Sequence, residues 1–474
     1  MTDQDITRLS AIEIARRVRA RELSAADVVE AHLAVIEREN PRLNAICTLA
    51  ADHAREAART IDAAVAAGQD PGLLAGVPVG VKDVHPTAGI RTTYGSTLYK
   101  DHVPAEDALI VQRCKAAGAI VIGKTNTPEF AAGANTFNAL FGPTRNPWNP
   151  ALSASGSTGG GAAGLASGMF PLATGSDLGG SVRTPAAFCG VVGLRPTPGL
   201  VPRWPTPAPW ATLDVAGPMA RNVEDTALML QAIAGPSPYA PISVPIEARD
   251  FVAAARAGVR NGLKVAYCPD IAGIGVDREI EQLCRQAAFD LAQDGAHVEE
   301  IAFDLAFARP AFLRLRGQYM VDRHLDKLDK LDRLNPNLAG NIRAGLAQSP
   351  RDVALGEQGR AQVFDRFRVL FERYDVLVTP CTAVPPFPVE QNYPEAINGK
   401  PMATYIDWVA PTFLVTLAGV PAMSVPAGLT RDRLPVGVQI VGRRSDEESV
   451  LAVAGAVERS KAIGWPERTA ASIV

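Results

Sequence analysis

The sequence lacks most of the features that announce a function quickly. Its six cysteines (Cys47, Cys114, Cys189, Cys268, Cys284, Cys381) are widely scattered and form no CxxC pair. That argues against a structural zinc site or a disulfide framework, and for free, mostly buried thiols in a reducing compartment. No stretch approaches 18 uninterrupted apolar residues, so no membrane span is expected. The opening MTDQDITRLS has no apolar core of a secretory signal, and a cytoplasmic location is the expectation. Residues 103–296 contain no histidine, and the chain has no HExxH, no GxSxG and no lysine in an SxxK. The usual signatures of zinc peptidases, α/β-hydrolases and penicillin-recognising enzymes are therefore missing. A Ser-His-Asp site assembled from distant segments stays open, but nothing points to one. Lys and Arg are spread along a chain of net charge −3, which gives no support for a nucleic-acid or anionic-membrane partner.

What is present suits a globular protein with a large core: 47% of residues are hydrophobic and 20% charged. Residues 10–20 and 24–39 read as amphipathic helices capped by Ser10 and Ser24, with Asn40-Pro41 ending the second. A β/α alternation follows, with strands expected at 77–81 and 119–122 around a helix at 106–117. Residues 142–200 are crowded with Gly, Ser, Pro and Thr. They are also rich in Ala, Leu, Val and Phe, which a solvated linker would avoid, so a rigid backbone-built region fits better. Later strands are expected at 263–267, 375–379, 420–426 and 436–441, and the charged helical stretch at about 300–400 is the best candidate for a cap.

Two formal motif matches fail on context. Gly118–Thr125 satisfies the Walker A pattern, but Ala-Ile-Val-Ile wants to be a buried strand and Pro128 blocks the helix that should follow. Gly159-Gly-Gly161-Ala-Ala-Gly164 satisfies GxGxxG, but the Asn146–Ser155 segment before it cannot be an interior strand.

Three short pieces carry chemistry together: Gly80-Val-Lys82-Asp83, Ser155-Gly-Ser157-Thr-Gly-Gly-Gly161, and Ser176-Asp177-Leu-Gly-Gly-Ser181-Val-Arg183. The glycines before Ser181 let backbone approach a ligand, and the N–H groups of Leu178, Gly179, Gly180 and Ser181 could converge on a developing oxyanion. Lys82 closes an expected buried strand, where desolvation lowers a lysine's pKa toward general-base use. Taken singly, each piece fits a plain glycine turn or a solvated lysine at least as well.

Together they match a known pattern: the chain resembles the amidase signature family. The resemblance is densest from Gly76 to Met219. It runs through Gly-Val-Pro-Val-Gly-Val-Lys82-Asp, Gly-Lys-Thr-Asn-Thr-Pro-Glu129-Phe, Gly-Ser157-Thr-Gly-Gly and Gly-Ser-Asp177-Leu-Gly-Gly-Ser181-Val-Arg183-Thr-Pro, with a later echo at Leu434–Gly442. The spacing also agrees, with 75 residues from Lys82 to Ser157 and 24 from Ser157 to Ser181.

The resemblance implies an α/β fold, a single large domain with a mixed, twisted central sheet wrapped by helices. Residues 1–70 would pack as helices on a core formed by 71–474. It implies a Ser–Ser–Lys triad in which Ser181 attacks, Ser157 (after a cis peptide at Gly156) relays the proton and Lys82 accepts it. The N–H groups of 178–181 would form the oxyanion hole, with Gly156, Thr158, Asp177 and Arg183 in support. No metal or organic cofactor is implied.

The expected substrate is a small amide, with carbamates or esters open to the same acyl chemistry. Trp204, Trp210, Tyr319 and Cys381 are candidates for substrate contact, and Trp204, Pro205, Pro207, Pro209, Trp210, Phe312, Tyr319 and Trp408 suggest an apolar pocket. A homodimer is compatible with the sequence. Two rival readings remain. One is the glutaminase subunit of a tRNA-dependent amidotransferase, against which Thr127-Pro-Glu-Phe and Ser176-Asp-Leu are departures. The other is a catalytically silent binding homologue, against which the intact Lys82, Ser157 and Ser181 stand.

Overall fold

The computed structural model describes residues 3–246 and 249–466. The helix Ala11–Arg19 starts where the Ser10 hydroxyl accepts the Glu13 N–H at 3.1 Å, and Ala25–Leu43 where Ser24 accepts from Asp27 at 3.0 Å. The second helix runs through Pro41 rather than stopping before it. Proline forfeits only its own N–H bond there, one turn from the end. Termination comes from Asn44 in the left-handed region, while the Asn40 amide oxygen accepts the N–H groups of Ala45 and Ile46.

The centre is an eleven-stranded mixed sheet. Its strands are β1 (Ile46–Leu49), β2 (Pro78–Lys82), β3 (Ile120–Thr125), β4 (Leu172–Asp177), β5 (Val192–Arg195), β6 (Val215–Ala220), β7 (Lys264–Tyr267), β8 (His297–Glu300), β9 (Val376–Pro380), β12 (Ala422–Leu429) and β13 (Pro435–Gly442), while β10 (Ala396–Ile397) and β11 (Lys400–Pro401) pair separately. The order is β1-β3-β2-β4-β6-β5-β12-β13-β9-β7-β8. β2 lies parallel to β3 and β4, the run from β4 to β9 is antiparallel, and β9-β7-β8 is parallel again. Helices cover both faces, so β2, β3, β4 and β6 are buried along their whole length.

The glycine-rich 142–200 region is part of this core. It supplies β4, β5 and the buried helices Gly159–Ala166 and Arg183–Cys189. The glycine run at 159–161 answers a packing demand: a Cβ on Gly160 would clash with the Asn126 nitrogen and lie 2.5 Å from the Ala45 oxygen. The Walker-like Lys124 is buried inside β3. Its ammonium donates to Thr87 Oγ1 at 2.8 Å, to Thr92 Oγ1 at 2.9 Å and to the His85 carbonyl, so nothing there cradles phosphate. Within 300–400, the helices Arg309–Arg323, Pro336–Leu346 and Pro350–Arg373 pack together, and the first of them roofs the carboxyl ends of β2 and β4. Among the described residues no helix is long and apolar enough to cross a membrane.

Candidate active site

The site begins with the register of two parallel neighbours. β2 and β4 pair as Val79 to Leu172 and Gly80 to Ala173, which brings Lys82 level with the end of β4. Open α/β sheets present ligand sites at such carboxyl ends. Lys82 is fully buried, and its Nζ lies 2.7 Å from Ser157 Oγ, 2.9 Å from Thr158 Oγ1 and 3.1 Å from Ser176 Oγ. All three partners are neutral hydroxyls. Burial therefore dominates and pulls the ammonium pKa down to about 7, although Asp214 and Asp177 pull the other way. An uncharged amine at neutral pH can take a proton.

Ser157 follows Gly156, and the peptide between them is cis, as the resemblance implied. Ser181 sits in the short loop between β4 and the helix Arg183–Cys189. The Asp177 carboxylate organises that loop. It accepts the N–H of Gly180 at 2.9 Å and of Val182 at 3.2 Å, and pairs with Arg183 through Nη2 at 2.8 Å and Nε at 3.0 Å. Burial opposes the carboxylate's charge, but the Arg183 guanidinium and these donors outweigh it and hold Asp177 well below the usual carboxylate range. Arg183 reaches on to Gln439 Oε1 at 2.5 Å and Thr416 Oγ1 at 3.1 Å, tying the loop to β13 and to the helix Ala410–Leu417. The two serine segments are stitched together: the Thr158 N–H donates to the Ser181 carbonyl at 3.1 Å, and Thr184 Oγ1 donates to the Gly156 carbonyl at 3.0 Å.

Lys82 and Ser157 are thus in direct hydrogen-bond contact. Ser181 faces the same cavity as Ser157, but among the described residues its hydroxyl makes no hydrogen bond to Ser157 or to any other group. Contacts of this kind commonly tighten only once substrate binds. The oxyanion reading needs one correction. The Gly180 N–H is committed to Asp177, whereas the N–H groups of Leu178, Gly179 and Ser181 have no acceptor among the described residues. Gly180 is required for another reason: its φ is +117°, and a Cβ there would collide with Thr412 Oγ1.

Two cavity lobes meet at Ser181. The outer is lined by Ser157, Ser176, His85, Trp204, Pro205 and Tyr319 among others. The inner is lined chiefly by Phe312, Met320, Ile406, Val409 and Phe413, with Arg316. Trp204 and Tyr319 thus lie where substrate contact was expected. Trp210 does not: it is 72% exposed and lines neither lobe. Cys381 does not either. It directly follows β9 in the fully buried core, where its N–H donates to the Gly437 carbonyl. Trp408 is core too, packed between Phe188 and Phe387.

Sequence reasoning missed Ser176, whose signal was its period-two alternation with Thr174 on a strand. It also missed Arg203 and Asp214, which join the expected Tyr319 on the cavity wall: Asp214 is 2.7 Å from Arg203 Nη2 and accepts the Tyr319 hydroxyl at 2.6 Å. No local motif marks that group, because its members come from distant segments. Among the described residues no group of three or more His, Cys, Asp or Glu could hold a metal ion.

The family model for amidases matches residues 27–451. A glutamyl-tRNA(Gln) amidotransferase subunit from Carboxydothermus hydrogenoformans is 36% identical over 481 residues, covering 95% of this chain and 97% of the relative. A bacterial aryl acylamidase of the amidase signature family superposes with a TM-score of 0.90 at 31% identity, covering 95% of this chain and 96% of the other. The corresponding glutamyl-tRNA(Gln) amidotransferase subunit from Thermotoga maritima superposes with a TM-score of 0.78 at 29% identity, covering 99% and 100%. The buried lysine among hydroxyls, the glycine-built serine loops and these matches agree, and the chain belongs to the amidase signature family.

Proposed function

We propose that this amidase-family protein cleaves carbon–nitrogen bonds through an acyl-enzyme on Ser181. The observation that carries the reading is the buried Lys82 amine, ringed by neutral hydroxyls, brought to about pH 7 and hydrogen-bonded to Ser157 beside the unengaged Ser181 hydroxyl. Ser181 Oγ attacks the substrate carbonyl while its proton passes through Ser157 to Lys82. The oxyanion that forms is held by the N–H groups of Leu178, Gly179 and Ser181. As the intermediate collapses, the C–N bond breaks, and the proton returns from Lys82 through Ser157 to the departing amine. Water then repeats the sequence on the ester and releases the acid. Thr158 and Ser176 hold Nζ in line, and Asp177 with Arg183 fixes the loop.

Which amide is cleaved divides two readings. The apolar inner lobe and Trp204 in the outer lobe support a free-standing hydrolase of apolar amides, with esters and carbamates accessible. The sequence comparisons weigh more toward the second reading, a glutaminase subunit that works within an amidotransferase, since the curated relatives carry that name over nearly the whole chain.

The test uses the chain purified alone. A fluorophosphonate is expected to label Ser181, and Ser181→Ala is expected to lose labelling and at least about 10³-fold in turnover of anilides. Unchanged turnover in that variant would dismiss the mechanism. Glutamine turnover appearing only with added partner subunits would favour the second reading over the first.

A further inference from the structure

Arg316 is a guanidinium buried in the inner lobe without a counter-charge. It is 5% exposed and lies on the roof helix Arg309–Arg323. Its Nη1 donates to Asn341 Oδ1 and its Nη2 to the Tyr405 hydroxyl, both neutral, and the Tyr405 ring lies 5.4 Å from its guanidinium carbon. The nearby acid Asp407 is engaged by Arg309 at 2.7 Å. Among the described residues no Asp or Glu lines the lobe, and Arg316 is the only charged residue that does. A buried charge held by neutral groups alone is costly, and an anion delivered by a ligand relieves that cost. Arginine suits a carboxylate in particular, because its fork presents parallel donors. Tyr405 and Asn341 hold the guanidinium in place: the Tyr405 hydroxyl accepts from both Arg316 and Asn341.

The direction of the substrate follows from the proton path. The departing amine must be protonated through Ser157, which lines the outer lobe together with Ser176. The inner lobe contains neither and is bordered by Gly156, Gly179 and Thr184 instead. The amine therefore leaves through the outer lobe and the acyl chain occupies the inner one. We infer that Arg316 reads a carboxylate at the far end of a short apolar acyl chain, which makes monoamides of dicarboxylic acids the favoured substrate class. This rests on the amide-hydrolase reading above and narrows it. A γ-glutamyl group carries the same carboxylate plus an ammonium for which the lobe offers no acidic partner among the described residues.

Three substrates that release 4-nitroaniline separate these features: glutaryl-, pentanoyl- and γ-glutamyl-4-nitroanilide. The glutaryl compound is expected to give the highest kcat/KM. Its advantage over the pentanoyl compound should fall about 10- to 100-fold in Arg316→Gln, as loss of a charge-assisted pair requires, and recover in part in Arg316→Lys. A wild-type preference for the pentanoyl compound, a ratio unmoved by R316Q, or γ-glutamyl turnover equal to glutaryl turnover overturns the inference while leaving the hydrolase reading in place. Absence of Ser181 labelling would instead remove the hydrolase reading. Protection gives a readout without turnover: glutarate should slow fluorophosphonate labelling of the wild type more than pentanoate does, and equal protection by the two also overturns the inference.

Discussion

At the scale of single residues, the proposed mechanism turns on the charge state of Lys82. Its ordinary pKa of 10.5 falls to about 7 because burial removes water from the ammonium. The proposed mechanism uses the free amine, so kcat/KM for a neutral substrate is expected to climb as pH rises through about 7 and then level off. The stability consequence has a definite sign. Between about 7 and 10.5 the unfolded chain binds a proton that the folded chain has released, so stability rises with pH across that window and is lost as pH falls toward 7. Lys82→Met removes the titration. Its melting temperature relative to wild type should therefore be most favourable near pH 7 and decline toward pH 10. A relative melting temperature that does not change with pH would mean that Lys82 keeps an ordinary pKa in the folded protein, and the base assignment would go with it.

At the scale of elements, the loop between β4 and the helix Arg183–Cys189 is held by buried charge as well as by the glycine at 180. Asp177 and Arg183 are both fully buried and bonded at 2.8 and 3.0 Å, and Arg195 approaches the same carboxylate at 3.5 Å. Removing Arg183 leaves the buried carboxylate with only the more distant Arg195 as counter-charge, and breaking a buried pair in this way costs about 3–5 kcal/mol. Arg183→Met is expected to lower urea stability by about that amount and to abolish labelling of Ser181. Thr416→Val, which removes one donor contact of Arg183 and a long hydrogen bond to the Thr412 carbonyl while leaving the ion pair, is expected to cost about 1 kcal/mol and leave labelling intact. Equal effects of the two substitutions would mean that the loop does not depend on the buried pair.

The same elements show what was legible beforehand. β2, β3, β7, β9, β12 and β13 announce themselves as continuous apolar runs, the pattern of strands covered on both faces. β4, β5 and β6 do not: Leu-Ala-Thr-Gly-Ser-Asp and Val-Ala-Gly-Pro-Met-Ala carry one β-branched residue each among Gly, Pro, Ala and Asp, and neighbours on both sides make them strands. Lys82, Ser157 and Ser181 could be named because motif and spacing coincide. Arg316 and Asp214 could not, since their roles depend on which distant segments meet, whereas Ser176 had a signal in its alternation with Thr174 that was passed over. Cys381 and Trp210 were misplaced for a related reason: a residue's position beside an element says nothing about which way the cavity opens.

At the scale of the whole molecule, the N-terminal segment is structural backing for the site. The Asp225 carboxylate accepts the N–H groups of Ala11 and Ile12, fixing the helix Ala11–Arg19 to the helix Val223–Ile233. β1 pairs with β3, which pairs with β2, the strand that carries Lys82. The Ala45 carbonyl accepts the Asn126 N–H at 2.8 Å, and both groups press against Gly160 at the start of the helix that follows Ser157. The first 70 residues thus reach the back of the triad through two contacts, the sheet and the glycine-lined helix start. Deleting residues 1–70 also strips the partners from Val79, Ile120 and their neighbours in one continuous core. Unfolding of the full chain in urea, followed by far-ultraviolet dichroism and by tryptophan fluorescence, is expected to give coincident transitions. The 71–474 fragment is expected to aggregate or to bind a hydrophobic dye, and to lose fluorophosphonate labelling at Ser181. A soluble fragment that labels at the full-length rate would show that the triad is held without β1 and Ala45, and that the N-terminal helices cover the core without shaping the site.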